Sequence, residues 1–205
     1  MSLDGTYTGL KASIADWMHR ADMTVIIPDL VVLAEARIAR DLRLRRMVTT
    51  STLTTTAAVQ YVTLPTDYLE VENLSVATAI ERQLIYVNIE HLNVKYPDGS
   101  YSGTPAVYTL EADKLYFGPT PDAAYTINIL YYARFPALSV TPTNWLLTYH
   151  PNIYLFGALA EAGDWAIDDK SQAKWEMKYQ QSVKQLQESD DNSMFSGSAL
   201  RVRTI

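Results

Sequence analysis

Residues 27–47, IPDLVVLAEARIARDLRLRRM, determine how the rest of the chain is interpreted. Pro28 suits the first turn of a helix, because the amide at that position has no helical partner to lose. At 100° per residue, apolar side chains recur along one side of the stretch, which is typical of a helix that packs on a core. This apolar stripe consists of Ile27, Leu30, Val31, Ala34, Ile38 and Leu42. The pattern predicts one long helix from Ile27 to Met47.

Half of the arginines of the chain lie in the second part of this stretch: Arg37, Arg40, Arg43, Arg45 and Arg46. Asp41 stands four residues from Arg37 and four from Arg45, so one interpretation is a solvated face with ion pairs worth roughly 0.2–0.5 kcal/mol each. Asp41 offsets only part of the positive charge, and arginine is enriched in protein interfaces. The second interpretation is therefore a subunit interface or a surface that faces DNA.

Composition limits the possible classes of protein. A chain of 205 residues with 48% apolar residues is expected to fold around a substantial core. A net charge of -6 argues against a protein whose main work is holding nucleic acid, although a local basic patch is compatible with it. Cysteine is absent, which excludes a disulfide framework and suits a reducing compartment. The sequence shows no secretion signal and no plausible membrane span, so we expect a soluble protein made in a cytoplasm.

Further helices are predicted on both sides of the central region. Residues 8–21 form a first helix with Thr8 as its N-cap. Near residue 145, Thr143 or Asn144 caps a short helix, and Pro151 starts a longer one. Small residues follow at close-packing spacing: Gly157, Ala160 and Gly163. We expect the backbone of another helix to approach this segment.

In the sequence between these helices, the spacing of apolar residues changes from a helical period to simple alternation. Residues 69–76 alternate apolar with polar side chains, which is typical of a half-buried strand. Residues 108–117 predict a hairpin that reverses near Ala112 and Asp113, and residues 125–133 predict a closing strand. The central region therefore predicts a mostly antiparallel β-rich domain.

The chain is predicted to end in a helix followed by a tail. The last helix starts at Asp168 or Asp169 and runs to about Gln187. The sequence then becomes polar and closes with residues 199–205, ALRVRTI, in which apolar and basic residues alternate. Such a segment cannot bury itself alone, so it is either disordered or an added strand on a partner.

Together these patterns predict an α+β protein with three parts. Residues 1–47 and 136–188 form a helical bundle of about four helices. Residues 48–135 form the inserted antiparallel β-rich domain, and residues 189–205 form an extended C-terminal tail.

Catalysis finds little support in the sequence. The histidines His19, His91 and His150 are scattered, and none has a second ligand three or four residues away, so metal-binding spacing is missing. No nucleophile elbow, phosphate-binding glycine loop or dinucleotide fingerprint is present. We expect no enzymatic activity, no catalytic residue, no cofactor and no metal.

A series of short motifs runs along nearly the full length of the chain. The motifs are YTGLK (7–11), ADW (15–17), IPD (27–29), AEARIARDLR (34–43), LPTDYLE (64–70), GPTP (118–121), YY (131–132), PALS (136–139), NWLL (144–147) and Trp175. Their order and spacing resemble the head-to-tail adaptor proteins, or connectors, of short-tailed bacteriophages. The order of all the motifs carries this resemblance, since no single one is diagnostic.

The resemblance implies a structural virion protein with a helical bundle and a β-rich insertion. Such adaptors assemble as a ring, usually of twelve copies, between the portal and the tail. The ring extends the DNA channel and serves retention and ejection of the genome. The implied partners are other copies of the chain, the portal protein, tail (nozzle or fibre) proteins and DNA in non-specific passage. The implied location is the head–tail junction of the virion, after synthesis in the cytoplasm of the host bacterium.

The resemblance also gives the C-terminal tail a role, because the tails of such adaptors often embrace the portal. The segment that corresponds to it here begins at Met194. Its candidate portal-binding residues are Met194, Phe195, Leu200, Arg201, Val202, Arg203 and Ile205.

Two alternatives to an adaptor remain open, and a hydrolase is a third and weakest one. The first is another tail attachment subunit of a phage, which the symmetry of the assembly would distinguish. The second is a nucleic-acid-binding module that uses Arg37 to Arg46, whose DNA affinity would fall steeply with salt.

Overall fold

The chain divides into two compact units in a computed structural model that describes residues 3–19, 24–78, 81–97, 101–166 and 168–194. The helical unit comprises Met1–Leu44 and Phe135–Ile205, and the β unit comprises Arg45–Arg134. The described residues form both α-helices and antiparallel sheets, so the predicted α+β class is confirmed.

Six α-helices occur in the described part of the chain, and all but α3 belong to the helical unit. Their bounds are α1 Tyr7–Met18, α2 Ile27–Asp41, α3 Ile89–Lys95, α4 Trp145–Tyr149, α5 Pro151–Trp165 and α6 Asp169–Met194. Asn144 is the N-cap of α4, because its side chain accepts a hydrogen bond from the Leu147 amide. Of the two predicted caps for this helix, Asn144 is therefore the correct one.

Helix α5 lies at the centre of the helical unit, where it contacts α1, α2, α4 and α6. Its buried residues lie on all sides of the helix, as is typical of a helix enclosed by others. A Cβ added at Gly157 would lie 3.4 Å from Ala34 and from the Tyr179 ring. A Cβ added at Gly163 would lie 2.8 Å from the backbone of Gln172. The small residues of α5 therefore let its neighbours approach, as the sequence predicts.

Helix α2 is shorter than its sequence pattern predicts. It ends at Asp41, and Leu42 already has an extended backbone with φ -103 and ψ 130. Leu42 and Leu44 are both buried, and two buried residues two positions apart fit an extended chain instead of a helix. Residues 45–47 then form a 3₁₀ turn. The prediction of one helix from Ile27 to Met47 is wrong beyond Asp41, whereas the whole predicted apolar stripe is buried.

Both terminal helices differ from their predicted bounds. The N-cap of α1 is Thr6 and not Thr8, because the Thr6 hydroxyl accepts a hydrogen bond from the Gly9 amide. Helix α6 continues to Met194, so residues 189–194 are helical and the prediction that they are extended is wrong. The polar side chains of residues 189–193 do not prevent a helix there. Helix α6 is stabilised by the packing of apolar residues that are buried earlier along it, and its last turns can remain exposed.

The described residues of the β unit form ten strands. Their bounds are β1 Val48–Thr54, β2 Tyr61–Thr63, β3 Tyr68–Val76, β4 Arg82–Gln83, β5 Ile85–Tyr86, β6 Ser102–Gly103, β7 Val107–Glu111, β8 Lys114–Gly118, β9 Thr120–Pro121 and β10 Thr126–Ala133. One sheet has the order β1-β10-β3-β4, a second has the order β2-β8-β7-β5, and β6 pairs with β9. Among the strand pairs described, all are antiparallel except the short pairs β5–β7 and β6–β9.

The core of the β unit is formed by alternate residues of the long strands. Ile127, Ile129 and Tyr131 of β10 are buried in one cluster with Leu74 and Phe117. The predicted hairpin is confirmed, since β7 and β8 are antiparallel neighbours that reverse between Glu111 and Lys114. Strand alternation therefore places one face of β10 on the core, as its sequence indicates.

Candidate functional site

The first predicted site residue, Arg37, connects three helices of the helical unit. Its guanidinium pairs with Glu161 on α5 at 3.2 Å and with Glu176 on α6. On its own helix, Asp41 lies 3.8 Å from Arg37 Nε. The side chain of Arg37 is only 18% exposed. Arg37 therefore acts as a cross-link between α2, α5 and α6.

Tyr179 of α6 completes this arrangement. The guanidinium carbon of Arg37 lies 4.5 Å from the centre of the Tyr179 ring, within the range of a cation–π contact. The Tyr179 hydroxyl donates to Asp41 Oδ2 at 2.9 Å, and the ring is 1% exposed. The Arg37 cluster, defined as Arg37, Asp41, Glu161, Glu176 and Tyr179, thus combines ion pairs with a buried aromatic contact.

The electrostatics of the Arg37 cluster favour the charged form of the Arg37 guanidinium over the neutral form. Burial of the Arg37 guanidinium works against its charge, but the hydrogen bond that it donates to Glu176 and the nearby negative charges raise its pKa above the ordinary value. Burial, with the hydrogen bond to Asp41 next, also raises the pKa of Tyr179. Tyr179 therefore stays neutral throughout the physiological pH range and keeps the proton with which its hydroxyl donates a hydrogen bond to Asp41.

The remaining four arginines are divided between the two units. Arg40 is exposed on α2, whereas Arg43 Nη1 donates to the carbonyls of Ala39 and Leu42 and so closes the end of the helix. Arg45 and Arg46 are exposed in the 3₁₀ turn and belong to the β unit. Because α2 ends at Asp41, the five arginines do not form one continuous helical row.

A second feature of α2 is an apolar surface on the side opposite its buried stripe. Val32 is 54% exposed and Leu33 is 51% exposed. Ala36 and Arg40 are exposed one and two turns further along the helix. We call Val32, Leu33, Ala36 and Arg40 the outer face of α2. Sequence reasoning missed this face because it assigned the apolar residues to one stripe, although the run Leu30–Ala34 is apolar at every position.

The three histidines considered for catalysis lie on different elements of the fold. His19 follows α1, His91 is exposed on α3, and His150 separates α4 from α5. No group of three His, Asp or Glu residues in the described part of the chain is placed to hold a metal ion.

The described helices also include none that is long and apolar enough to span a bilayer.

Aromatic side chains fill the contact between α1, α5 and α6. The ring of Trp17 lies 5.3 Å from Trp175 and 6.1 Å from Phe156. The ammonium of Lys178 lies 4.9 Å from the Trp175 ring and 5.3 Å from the Phe156 ring. The late Trp175, one of the residues of the resemblance, thus packs three helices together.

Most of the predicted portal-binding segment lies outside the described residues. Met194 is the last residue of α6, and residues 195–205 follow it.

Comparison with known proteins gives one positive result. No curated protein matches the chain. The family model of the SU10 adaptor protein matches residues 5–203, which is almost the entire chain and agrees with the resemblance to phage head-to-tail adaptors. The chain belongs to the SU10 adaptor protein family and is a structural adaptor protein of a phage virion.

Proposed function

We propose that the chain is the head-to-tail adaptor subunit that forms a ring between portal and tail. The family match over residues 5–203 carries this proposal. In the proposed assembly, copies of the helical unit pack side by side, the β unit faces the tail, and the ring extends the DNA channel. Twelve copies are expected, as in the adaptors that the chain resembles.

The outer face of α2 supports self-association through the helical unit. Isolated apolar residues are common on protein surfaces, but Val32, Leu33 and Ala36 are contiguous on one helix face. The exposed Arg40 extends the same face, and arginine is enriched in protein interfaces relative to the rest of the surface. A face of this kind on one copy can pack on a different surface of the next copy, and such head-to-tail contacts close into a ring.

The acidic balance of the chain is compatible with a channel for DNA. Each neutralised phosphate adds to the affinity of a protein for DNA, so a strongly basic lining would hold the genome in place. The net charge of -6 and the use of Arg37 and Arg43 inside the protein reduce the positive charge available to DNA. They favour passage of the genome over the nucleic-acid-binding alternative.

The replacement of Val32 and Leu33 by aspartate together is expected to abolish ring assembly on the portal. Both side chains are more than half exposed, so the fold of the single copy is retained while the interface acquires unpaired charge. Negative-stain microscopy and native mass spectrometry of the chain mixed with the portal protein of its phage measure the effect. Rings formed as readily by this variant as by the wild type would contradict a role for the outer face of α2.

The control for this experiment is Val94→Asp. Val94 is 83% exposed on α3 of the β unit, so the variant introduces one aspartate at an apolar position that is more exposed than Val32 or Leu33. We expect normal rings from this variant, because the proposed arrangement directs the β unit toward the tail.

Deletion of residues 195–205 is expected to abolish binding to the portal and to leave the fold unchanged. The deleted segment follows the last residue of α6, so no described helix or strand is shortened. Portal binding is measured by co-sedimentation, and the fold by circular dichroism. Full binding by the truncated chain would refute the proposed role of the tail.

Two double variants separate the apolar and the charged contributions of the tail. Leu200→Ser with Val202→Ser removes apolar residues from one side of the alternating segment, whereas Arg201→Gln with Arg203→Gln removes the charges from the other. Strand-like docking in an apolar groove predicts that the first pair weakens binding more. Binding governed by charge predicts the reverse and a strong dependence on salt.

A further inference from the structure

Strand β1 is an edge strand that lacks the usual protection against pairing with another strand. It spans seven residues, Val48–Thr54, and pairs with β10 on one side. Within the described residues of the β unit, no strand pairs with its other side. Its sequence, VTTSTLT, contains no charge and no proline, which are the features that commonly block an open edge.

The other sheet edges of the β unit are short. Strand β4, at the opposite edge of the same sheet, has two residues and carries Arg82. The edges of the second sheet are β2 with three residues and β5 with two. Because short or charged edges offer little for another strand to pair with, β1 differs from every other edge of the two four-stranded sheets described.

The sequence of β1 is compatible with a second copy of itself. An antiparallel pair centred on Ser51 places Thr50 opposite Thr52, and every residue then faces one that points to the same side of the sheet. Cross-strand threonine pairs are favourable, and no like charges are brought together. The outward side chains of Thr50 and Thr52 are exposed, so this pairing meets no obstacle on that face of the sheet.

We propose that two copies of the unassembled chain pair through β1, antiparallel about Ser51, and so join their sheets into one. This contact uses the same surface on both copies, whereas each copy in a larger cyclic ring meets its neighbours through two different surfaces. The β1 pair is therefore a dimer of the free protein. When the ring assembles, the dimer dissociates, or the ring forms from copies that have not paired.

Two double variants that differ at one position test this pairing and its register. Thr50→Lys with Thr52→Lys places lysines opposite each other twice in the pair, whereas Thr50→Glu with Thr52→Lys places each glutamate opposite a lysine. We expect the wild-type chain and the Glu/Lys variant to be dimers. We expect the Lys/Lys variant to dissociate at least about tenfold more readily, because like charges directly opposite destabilise a strand pair. Analytical ultracentrifugation over a range of concentrations gives the three dissociation constants.

Cross-linking provides a second measurement, since the natural chain has no cysteine. Thr50→Cys mixed with Thr52→Cys is expected to form a disulfide-linked pair under mild oxidation, and each variant alone is expected to cross-link far less. A wild-type chain that is monomeric up to about 100 μM, where even weak specific pairs are populated, overturns the proposal. Equal dimerisation of the Lys/Lys and Glu/Lys variants also overturns it.

The failure of this proposal is distinguishable from the failure of the adaptor function. The Lys/Lys variant keeps the outer face of α2 and residues 195–205, so it is expected to form rings on the portal like the wild type. Loss of those rings would show that β1 belongs to the ring contact and would also overturn the proposed role of β1.

Discussion

The replacement of Tyr179 by alanine is expected to destabilise the helical unit by about 3–5 kcal/mol, the usual cost of removing a buried aromatic ring. The ring is 1% exposed and packs where Gly157 lets α5 approach α6. Its loss leaves a cavity and also removes the ring that contacts the Arg37 guanidinium. Unfolding by denaturant is followed through tryptophan fluorescence. All four tryptophans lie in the sequence ranges of the helical unit, so the signal reports on that unit.

Tyr179→Phe is the matched control, because it keeps the ring and removes only the hydroxyl. The lost hydrogen bond to Asp41 is expected to cost about 0.5–1.5 kcal/mol. A phenylalanine variant as unstable as the alanine variant would show that the hydroxyl and not the packing holds α6 in place. An alanine variant within about 1 kcal/mol of the wild type would contradict the burial of the ring.

Sequence reasoning predicted the features that depend on local periodicity. The five residues of the predicted stripe that lie on α2 are buried, because a 3.6-residue period places those side chains on one side of a helix. The β7–β8 hairpin is confirmed for the same kind of reason, since alternation and a short reversal are both local signals.

The features that sequence reasoning missed depend on distant residues or on competition between two periods. Residues 42–46 continue the arginine-rich pattern of α2, yet Leu42 and Leu44 alternate and are buried in an extended segment. The burial of those two leucines outweighs the helical continuation. The sequence of this segment contains both the helical period and the two-residue alternation. It does not show which of the two determines the structure.

The candidate site shows the same limit. The four-residue spacing identifies Asp41 as a partner of Arg37, and the two are in fact 3.8 Å apart. The closer partners, Glu161 and Glu176, lie more than a hundred residues away in sequence. No spacing rule connects them, since only the packing of α2 on α5 and α6 brings them together.

Arg37→Met is expected to destabilise the helical unit by about 2 kcal/mol, less than the cost of breaking a fully buried pair because the cluster is partly exposed. Methionine retains much of the aliphatic volume, so the loss comes from leaving Glu161 and Glu176 without their cation. Tryptophan fluorescence during denaturation again reports the change. Arg40→Met on the exposed side of α2 is the control, and we expect a change within about 0.5 kcal/mol for it.

A double-mutant cycle separates the ion pairs of Arg37 from its other contacts. In a background with Glu161→Gln and Glu176→Gln, Arg37→Met no longer strands two carboxylates, so it is expected to cost about half as much as in the natural chain or less. The cation–π contact with Tyr179 and the packing of the side chain account for the part that remains. Equal costs in both backgrounds would mean that the two glutamates contribute nothing through Arg37, and the stability of the three-helix contact would then rest on packing around Tyr179 alone.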